Sequence, residues 1–404
     1  MFDESLQEHP SRVDRLLLLA VFGLMLTGTA FVYSAAIGSD AAASLPLYKQ
    51  LWFRQIIWYA LGVGAGVALC FVDYRAVSRW SLPAYAVTLL FLVAVLIPKI
   101  GTTHGWGARR WIDFGPFQMQ PSEFAKLTFI LLMAGFLSQP AEDLRKPLNF
   151  WKALGLTLLP FLLVLKEPDL GSALVLLPAG LAMLYVAGMP RRFLIRLLGG
   201  GGVLAALFLV DVLYAPPNWQ VKLEDYQKRR LMVYFSQDYV PRPQASKSEI
   251  EGLRKQQFDD SHNVRQALIS VGSGGLLGKG WRQGTQNALG YLPRAVAHND
   301  FIFSVIAEEK GFVGSVIVIT LYSVILFSGI RIAGQARDRL GRLLAVGIVT
   351  LLFSQIFINI GMNIRIMPVT GVPLPLLSYG GSSVLGSLIA MGMLQNVYLY
   401  RKAY

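Results

Sequence analysis

Charge and cysteine are both scarce in this sequence. Charged residues make up 15% of the 404 residues, whereas soluble domains carry about 25%. Cys70 is the only cysteine, so no intrachain disulfide can form, and its place inside an apolar run is typical of a small core residue. His104 and His262 lack the spacing of metal ligands, and we interpret them as solvated. The sequence therefore predicts neither a disulfide-stabilised domain nor a histidine-based metal site.

Long apolar segments fill most of the chain, since 54% of its residues are hydrophobic. Runs of about 18 or more apolar residues indicate transmembrane helices. We predict an all-α, polytopic integral membrane protein with about ten transmembrane helices. The predicted spans are 16–37, 52–72, 81–98, 124–138, 153–165, 170–189, 193–214, 301–330, 343–363 and 375–399. The fourth and fifth are short for a bilayer of about 30 Å, which tilting or bilayer thinning can accommodate.

The positions of basic residues predict the orientation. The first apolar run, after Arg12 and Arg15, is too long for the core of a cleaved signal peptide, and we expect a retained helix with a cytoplasmic N-terminus. Every short inner loop is then basic, and an even number of spans returns the C-terminus to the cytoplasm. The net charge of +13 is explained by these loops, and the sequence contains no nucleic-acid-binding motif. We expect one membrane domain, 1–404, in which 215–299 forms a long extracytoplasmic loop between helices seven and eight.

This long loop holds several distinct segments. Residues 223–235 read as an amphipathic helix on the membrane surface that places Lys228, Arg229 and Arg230 towards lipid headgroups. Residues 263–270 read as helical, and the glycines from 272 to 280 read as turns. The chain shows no internal repeat and no matched pair of broken helices, which weakens the interpretation as a transporter.

Polar motifs collect at the predicted outer ends of the helices. One contains Arg109, Arg110 and Trp111. Another contains Glu123 and Lys126, which are three residues apart and can pair on one helix face; taken alone, this motif is explained by a structural ion pair and ordinary capping. Asp169 can cap the sixth helix or belong to a site.

The end of the long loop contains a further group of polar residues. Asp300 is placed where this loop meets an apolar helix, and a charge at a membrane edge is costly unless it is paired or used. His298 can orient this acid or simply make the helix start polar. Prolines and glycines between 367 and 383 indicate irregular backbone beside protein or a wet cavity. The remaining candidates in the loop are Gln266, Lys279 and Gln286. Together the motifs suggest an outer basic groove suited to an anionic lipid headgroup.

At this point the sequence resembles the SEDS family (shape, elongation, division and sporulation) of integral-membrane peptidoglycan polymerases. The resemblance covers nearly the whole chain. Its carriers are 110–111, 120–123, 167–171, 272–276, 278–280, 284–286, 298–303 and 373–383. Residues 225–231 resemble the elongation member more than the division member. The sequence departs from the family at Asn299, where Thr is usual, at Arg365, where an apolar residue is usual, and in an insert at 238–258.

The resemblance implies a glycosyltransferase that polymerises lipid II into glycan strands for cell-wall elongation and rod shape. A GlcNAc 4-hydroxyl attacks the anomeric carbon of the donor MurNAc, undecaprenyl pyrophosphate leaves, and the linkage inverts. One base suffices for one displacement, and Asp300 matches the family's catalytic acid. Arg109, Arg110, Lys279 or a divalent cation (Mg or Mn) can stabilise the leaving pyrophosphate; no cofactor follows with certainty.

The resemblance also implies partners and alternatives. The expected partners are a class B penicillin-binding protein, which supplies transpeptidation, and other membrane proteins of the elongation complex. The alternative functions are a lipid II flippase, which needs a polar path to the inner leaflet, a division polymerase, and a non-catalytic scaffold. The outer clustering of polar motifs disfavours the flippase, and the intact Asp300 motif argues against the scaffold.

Overall fold

The computed structural model describes residues 13–37, 46–102, 109–115, 117–214, 231–235, 252, 262–292 and 296–402. Ten helices of 16 or more residues are found within this described part of the chain. They are α1 Arg15–Ile37, α2 Leu51–Cys70, α3 Ser81–Leu96, α4 Pro121–Leu137, α5 Pro147–Lys166, α6 Leu170–Val186, α7 Arg191–Tyr214, α8 Ile302–Gln335, α9 Arg339–Asn363 and α10 Gly381–Leu399. Shorter helices are Tyr74–Arg79, Ala141–Leu144 and Thr285–Ala288, and Leu47–Lys49 is a 3₁₀ turn.

The helices confirm the all-α, polytopic membrane architecture. Seven of them are long and apolar enough to cross a membrane, and α3 and α6 are shorter apolar helices. The predicted fifth span was too short, because α5 begins at Pro147, whose missing N–H suits the first turn of a helix. With 20 residues, α5 now reaches about 30 Å at 1.5 Å per residue.

The loops between the helices separate into two sets that meet at opposite ends of the bundle. At one end, the Arg75 Nε donates to Asp338 Oδ2 at 2.7 Å, which joins the α2–α3 and α8–α9 connections. Arg339 donates to the backbone carbonyls of Gln139 and Ala187, so the α4–α5 and α6–α7 connections lie at the same end. These are the loops whose basic residues predict the cytoplasmic side.

The opposite end carries a small sheet that the sequence analysis did not predict. Its strands are β1 Gly101–Thr102, β2 Trp111–Asp113 and β3 Gln118–Met119, in antiparallel order β1-β2-β3. Strands of two or three residues are too short to give a periodic sequence signal. The sheet leads directly into α4 and so fixes how the Arg109–Trp111 motif enters this end of the bundle.

A break in α8 at Gly311 shapes the same end. Gly311 has φ +64° and ψ −156°, so the helix consists of two segments that meet at this residue. The N–H groups of Phe312 and Val313 donate to the carbonyls of Gly275 and Leu276, at 2.9 and 3.1 Å. On the other side of the break, the carbonyls of Glu308 and Glu309 accept from the N–H groups of 279 and 280, both at 3.0 Å. The 274–280 loop thus satisfies the peptide groups that the break releases, as backbone at membrane depth requires.

Parts of the long 215–299 loop are described. Residues 262–273 are helical, which confirms the helix predicted at 263–270. The turn predicted at Gly272 is wrong, because the helix extends through this residue and the turn begins at Gly274. Residues 231–234 are helical as well. The remainder of the predicted surface helix, with Lys228, Arg229 and Arg230, lies outside the described residues, as does nearly all of the 238–258 insert.

Candidate functional site

Asp300 lies at the start of α8, and its backbone is held on two sides. Its N–H donates to the Val296 carbonyl at 2.9 Å within a tight turn. Its carbonyl accepts from the side-chain amides of Asn359 and Asn363, both at 3.1 Å. Both asparagines are fully buried on α9, whereas the Asp300 side chain is partly exposed. These hydrogen bonds therefore fix the backbone position from which the Asp300 side chain extends, while the side chain stays partly exposed.

The irregular 367–380 segment supports the same turn from a second direction. The Tyr379 N–H donates to the His298 carbonyl at 2.9 Å, and the two rings meet edge to face at 5.6 Å. The Ser378 hydroxyl donates to the Asn299 carbonyl at 2.6 Å and accepts from the Leu374 N–H at 2.8 Å. His298 is thus packed beside the motif, which agrees with either predicted role.

Glu123 and Lys126 form the predicted ion pair. Lys126 Nζ lies 2.7 Å from Glu123 Oε1, and the two side chains are 2% and 3% exposed. They lie in the first turns of α4, directly after the small sheet. A pair buried to this degree can only persist because each charge neutralises the other. Its contribution to a substrate cavity stays a prediction.

The turn between α5 and α6 gathers a second group of predicted residues. Arg110 is buried and donates through its guanidinium to the backbone carbonyls of Glu167 and Pro168. Asp169 caps α6 by accepting from the Ser172 N–H at 3.2 Å, and it also accepts from the Gln120 side chain at 2.9 Å. The cap is confirmed, and Arg110 is placed as a support of this turn.

The α5–α6 turn is linked to Asp300 through the backbone segment 370–372. Gly171 lies so close to Thr370 and Val372 that any larger residue would overlap them. The Val372 carbonyl accepts at 2.8 Å from Asn359, whose amide also donates to the Asp300 carbonyl. A shift of the α5–α6 turn would therefore reach Asp300 through three successive contacts, from Gly171 to Val372, from Val372 to Asn359 and from Asn359 to Asp300.

Glu167 is the most unusual group of this turn. It is fully buried, and neither of its carboxyl oxygens has a hydrogen-bond partner among the described residues. Burial raises the pKa of Glu167 to about 9; the charge of Asp169 adds to the shift, and the Arg110 guanidinium opposes it. Glu167 therefore carries a proton at neutral pH, and the turn holds one negative charge fewer than its sequence suggests.

Lys279 and Gln286 meet at Glu308, a residue that the sequence analysis missed. Glu308 is fully buried in α8. Its Oε1 accepts from Lys279 Nζ at 2.7 Å, from the Thr285 hydroxyl at 3.1 Å and from the Gln286 N–H at 3.0 Å. The lysine thus neutralises a buried carboxylate, and the Gln286 contact is made by its backbone.

Gln266, Arg109 and Trp111 are the predicted residues that remain. Gln266 contacts His262 at 3.0 Å within its own helix. Arg109 is exposed. Trp111, in β2, is partly exposed, and its carbonyl accepts from the Thr102 hydroxyl at 3.2 Å. These contacts are with other protein groups and do not test a role in substrate binding, which stays a prediction for all three residues.

The residues missed by the sequence analysis share one property, burial of a polar group within an apolar helix. They are Glu308, Glu309, Asn359 and Asn363. Polar residues inside spanning helices are rare and functional by default. That signal, applied to 308–309, 359 and 363, would have found them.

The described residues contain no group of three or more His, Cys, Asp or Glu side chains that could hold a metal ion. Protein side chains of this part of the chain therefore do not form a complete site for a divalent cation. Mg²⁺ typically takes one or two carboxylates together with substrate phosphates. An ion bound here would accordingly need oxygen atoms of the substrate, with Asp300 as the accessible carboxylate.

The chain is similar in sequence to known proteins over most of its length. Residues 14–403 match the FTSW_RODA_SPOVE family, described as cell cycle protein. The peptidoglycan glycosyltransferase MrdB of Escherichia coli K12 is 34% identical over 392 residues, 96% of this chain and 94% of that protein. Stage V sporulation protein E of Bacillus subtilis is 35% identical over 394 residues, 96% of this chain and 98% of that protein.

Solved structures of related proteins resemble this chain over nearly its full length. A chain from a study of a peptidoglycan synthase complex that coordinates polymerization and crosslinking superposes with a TM-score of 0.73 at 29% identity, covering 96% of this chain and 98% of that one. The rod shape determining protein RodA of Thermus thermophilus gives a TM-score of 0.63 at 28% identity, covering 97% and 98%.

Breaking the Glu123–Lys126 pair should cost far more than breaking an exposed pair of the same geometry. Asp143 and Lys146 provide that control, with the same spacing, a distance of 2.6 Å and side chains that are 41% and 67% exposed. We expect Lys126→Met to destabilise the protein by about 3–5 kcal/mol, because an unpaired buried charge remains. Lys146→Met should cost about 1 kcal/mol or less.

Thermal unfolding in detergent measures the difference. Glu123→Gln combined with Lys126→Met removes both charges and should recover much of the loss. Equal stabilities of the Lys126→Met and Lys146→Met variants would show that the buried pair is not held as described.

The proton on Glu167 predicts a pH dependence of stability. Between its ordinary pKa of 4.5 and the folded value of about 9, the folded protein holds a proton that the unfolded chain releases. Stability should therefore fall as pH rises through this window, by at most about 1.4 kcal/mol per pH unit. Glu167→Gln should keep the fold and flatten that dependence.

Unfolding midpoints at pH 5.5, 7 and 8.5 test this expectation. The exposed Glu142 provides the control, since Glu142→Gln also removes one carboxylate. If the Glu167→Gln and wild-type curves run parallel, Glu167 is ionised in the folded protein.

Proposed function

This chain belongs to the FtsW, RodA and SpoVE family of cell cycle proteins, and on that premise we propose that it is a peptidoglycan glycosyltransferase that polymerises lipid II. The resemblance noted in the sequence is thereby confirmed at the level of the family. The observation that supports the activity most directly is the accessible Asp300 carboxylate, whose backbone is fixed by two buried asparagines. A reacting group needs this combination of access and fixed position.

In the proposed reaction Asp300 acts as the general base. The 4-hydroxyl of the acceptor GlcNAc gives its proton to the carboxylate as its oxygen attacks the anomeric carbon of the donor MurNAc. The bond from that carbon to undecaprenyl pyrophosphate breaks, and the electron pair leaves with the pyrophosphate. One displacement inverts the α-linkage to β, so a single base is sufficient.

The leaving pyrophosphate needs positive charge beside it. Lys279 is paired with Glu308, and Arg110 supports the α5–α6 turn. Arg109 is exposed and is the most accessible cation of the three predicted ones. We therefore assign the first contact with the pyrophosphate to Arg109, with Trp111 beside it.

The proposed location is the plasma membrane of a bacterium, with both termini in the cytoplasm and Asp300 on the extracytoplasmic side. The separation of the loops supports this orientation, because the basic connections meet at one end through Arg75 and Arg339. Asp300 and the α5–α6 turn lie at the other end. Positive loops normally remain in the cytoplasm.

The proposed process is cell-wall elongation, for which the elongation member RodA is the model. MrdB of E. coli and a probable FtsW of Geobacter metallireducens are both 34% identical to this chain, so a role in division is the alternative within the same activity.

Replacing Asp300 by Asn should abolish polymerisation while leaving the protein folded. The amide keeps the size and hydrogen-bonding capacity of the side chain but cannot accept the proton, and loss of a general base costs about 10²–10⁴-fold in rate. Purified protein with fluorescent lipid II, followed by gels of the glycan strands, measures the rate. Asp113 is exposed at the end of β2, where its side chain accepts from the Gly115 N–H at 2.7 Å, so Asp113→Asn is the matched control. Near-normal synthesis by Asp300→Asn would sink the assignment.

A class B penicillin-binding protein is the proposed partner, together with other membrane proteins of the elongation complex. The similarity to a chain of a peptidoglycan synthase complex supports it, and the described part of the 215–299 loop exposes Leu289 and Tyr291. Such contact can shift an existing equilibrium of the loop. Added partner should raise the polymerisation rate of the wild type, and deletion of 240–256 should reduce that gain. A rate that is unchanged by the partner in both proteins contradicts the proposal.

A further inference from the structure

Four side chains form a compact aromatic and cationic surface beside the proposed active site. We call it the Tyr33 platform, and it consists of Tyr33, Trp52, Trp281 and Arg282. Tyr33 and Trp281 are stacked, with ring centroids 5.9 Å apart and planes inclined by 26°. Trp52 meets Tyr33 edge to face at 5.9 Å. The Arg282 guanidinium lies over the Tyr33 ring, 5.6 Å from its centroid.

The platform is assembled from three separate parts of the chain. Tyr33 comes from the end of α1, Trp52 from the start of α2, and Trp281 with Arg282 from the loop after the 274–280 segment. Membrane-interface belts place single aromatic residues on the lipid side of individual helices. Here the loop residues Trp281 and Arg282 pack on Tyr33 of α1.

A buried carboxylate holds the two sides of the platform together. Glu309 is 1% exposed. Its Oε1 accepts from the hydroxyl of Ser34, the neighbour of Tyr33, at 2.5 Å. Its Oε2 accepts from the Arg282 N–H at 3.0 Å. Glu309 thereby fixes Arg282 relative to Tyr33.

The loop adopts an unfavourable backbone conformation at this point. Arg282 has φ +63°, the left-handed region that residues with a side chain rarely adopt. The surrounding contacts maintain it. Residues held in such conformations cluster at ligand-binding positions, and the result here is that Trp281 stays 44% exposed beside a guanidinium.

The platform continues towards Asp300 through Arg54. Arg54 lies two residues after Trp52 and donates to the Tyr48 carbonyl at 3.2 Å. Its guanidinium lies beside the Tyr379 side chain, and the Tyr379 ring meets His298 at 5.6 Å. The same exposed edge of the bundle therefore carries the platform, a second arginine and the Asp300 motif.

We propose that the Tyr33 platform is a carbohydrate subsite that binds a pyranose ring of the glycan. One face of a pyranose presents C–H groups that pack on an aromatic ring, and its hydroxyl and acetamide oxygens accept from a guanidinium. Trp281 with Tyr33 supplies the ring surface, and Arg282 supplies the donors. The subsite rests on the proposed function, and its ring can belong to the lipid-linked sugar or to the growing strand.

A soluble probe tests binding without any turnover. The probe is a tetramer of β-1,4-linked N-acetylglucosamine, and its binding to the detergent-solubilised protein is followed by saturation-transfer NMR. We expect Trp281→Leu to weaken binding roughly tenfold and Trp281→Phe to retain it, because the phenyl ring keeps the stacking surface. Trp151 is the matched control, being 64% exposed and paired with Phe150 near the start of α5; Trp151→Leu should bind as the wild type does.

A second variant distinguishes loss of sugar binding from loss of folding. Arg282→Gly removes the guanidinium while keeping a residue that adopts positive φ readily. It should also weaken binding of the tetramer and leave the unfolding midpoint close to that of the wild type.

Polymerisation assays separate the two sources of the sugar. Shorter strands at an unchanged initial rate for Trp281→Leu assign the subsite to the growing strand, and a raised KM for lipid II assigns it to the lipid-linked sugar. Unchanged tetramer binding, strand length and KM in Trp281→Leu and Arg282→Gly overturn the subsite and leave the platform as a membrane anchor. Absence of polymerisation by the wild type would instead contradict the proposed function, while the NMR result still decides whether the platform binds sugar.

Discussion

The break in α8 at Gly311 is the constraint on which the outer end of the molecule depends. A continuous helix would satisfy its own peptide groups and leave no reason for the 274–280 loop to enter the bundle. Because the break exposes N–H groups on one side and carbonyls on the other, the loop must supply partners for both. The glycines of this loop make the approach possible, since a Cβ at Gly274 or Gly278 would overlap the α8 backbone.

Two adjacent glutamates, Glu308 and Glu309, add side-chain hydrogen bonds to these backbone contacts. Glu308 collects Lys279, Thr285 and the Gln286 N–H on one oxygen, while Glu309 joins Ser34 of α1 to the Arg282 backbone. The segment that leads from Asp300 to Gly311 is only about three helical turns long. Hydrogen bonds therefore connect the loop to α1 and to the helical segment that follows Asp300, so a movement of the loop would be transmitted towards the carboxylate.

The sequence predicted the elements whose signal is local. Ten apolar runs identified ten helices, and the i,i+3 spacing identified the Glu123–Lys126 pair, because both depend only on residues close in the chain. The Glu308–Lys279 pair could not be found that way, since its partners are 29 residues apart and meet only through the broken helix. Arg110 and Lys279 were predicted, from their charge and the family resemblance, as residues that can stabilise the leaving group, and that role stays a prediction. The structure adds that both bind protein groups, which spacing cannot reveal. The protonated state of Glu167 likewise follows from burial, a property that the Glu-Pro-Asp sequence does not contain.

The most direct test of the account is a structure of the Asp300→Asn variant with lipid II bound, in which the chemistry is stopped and the substrate remains. The account predicts that the acceptor 4-hydroxyl lies within about 3.2 Å of the residue-300 side chain, the reach that a general base requires. It also predicts that the pyrophosphate lies on the Arg109 side of the donor sugar. An acceptor hydroxyl bound next to another carboxylate, with residue 300 remote from both sugars, would contradict it.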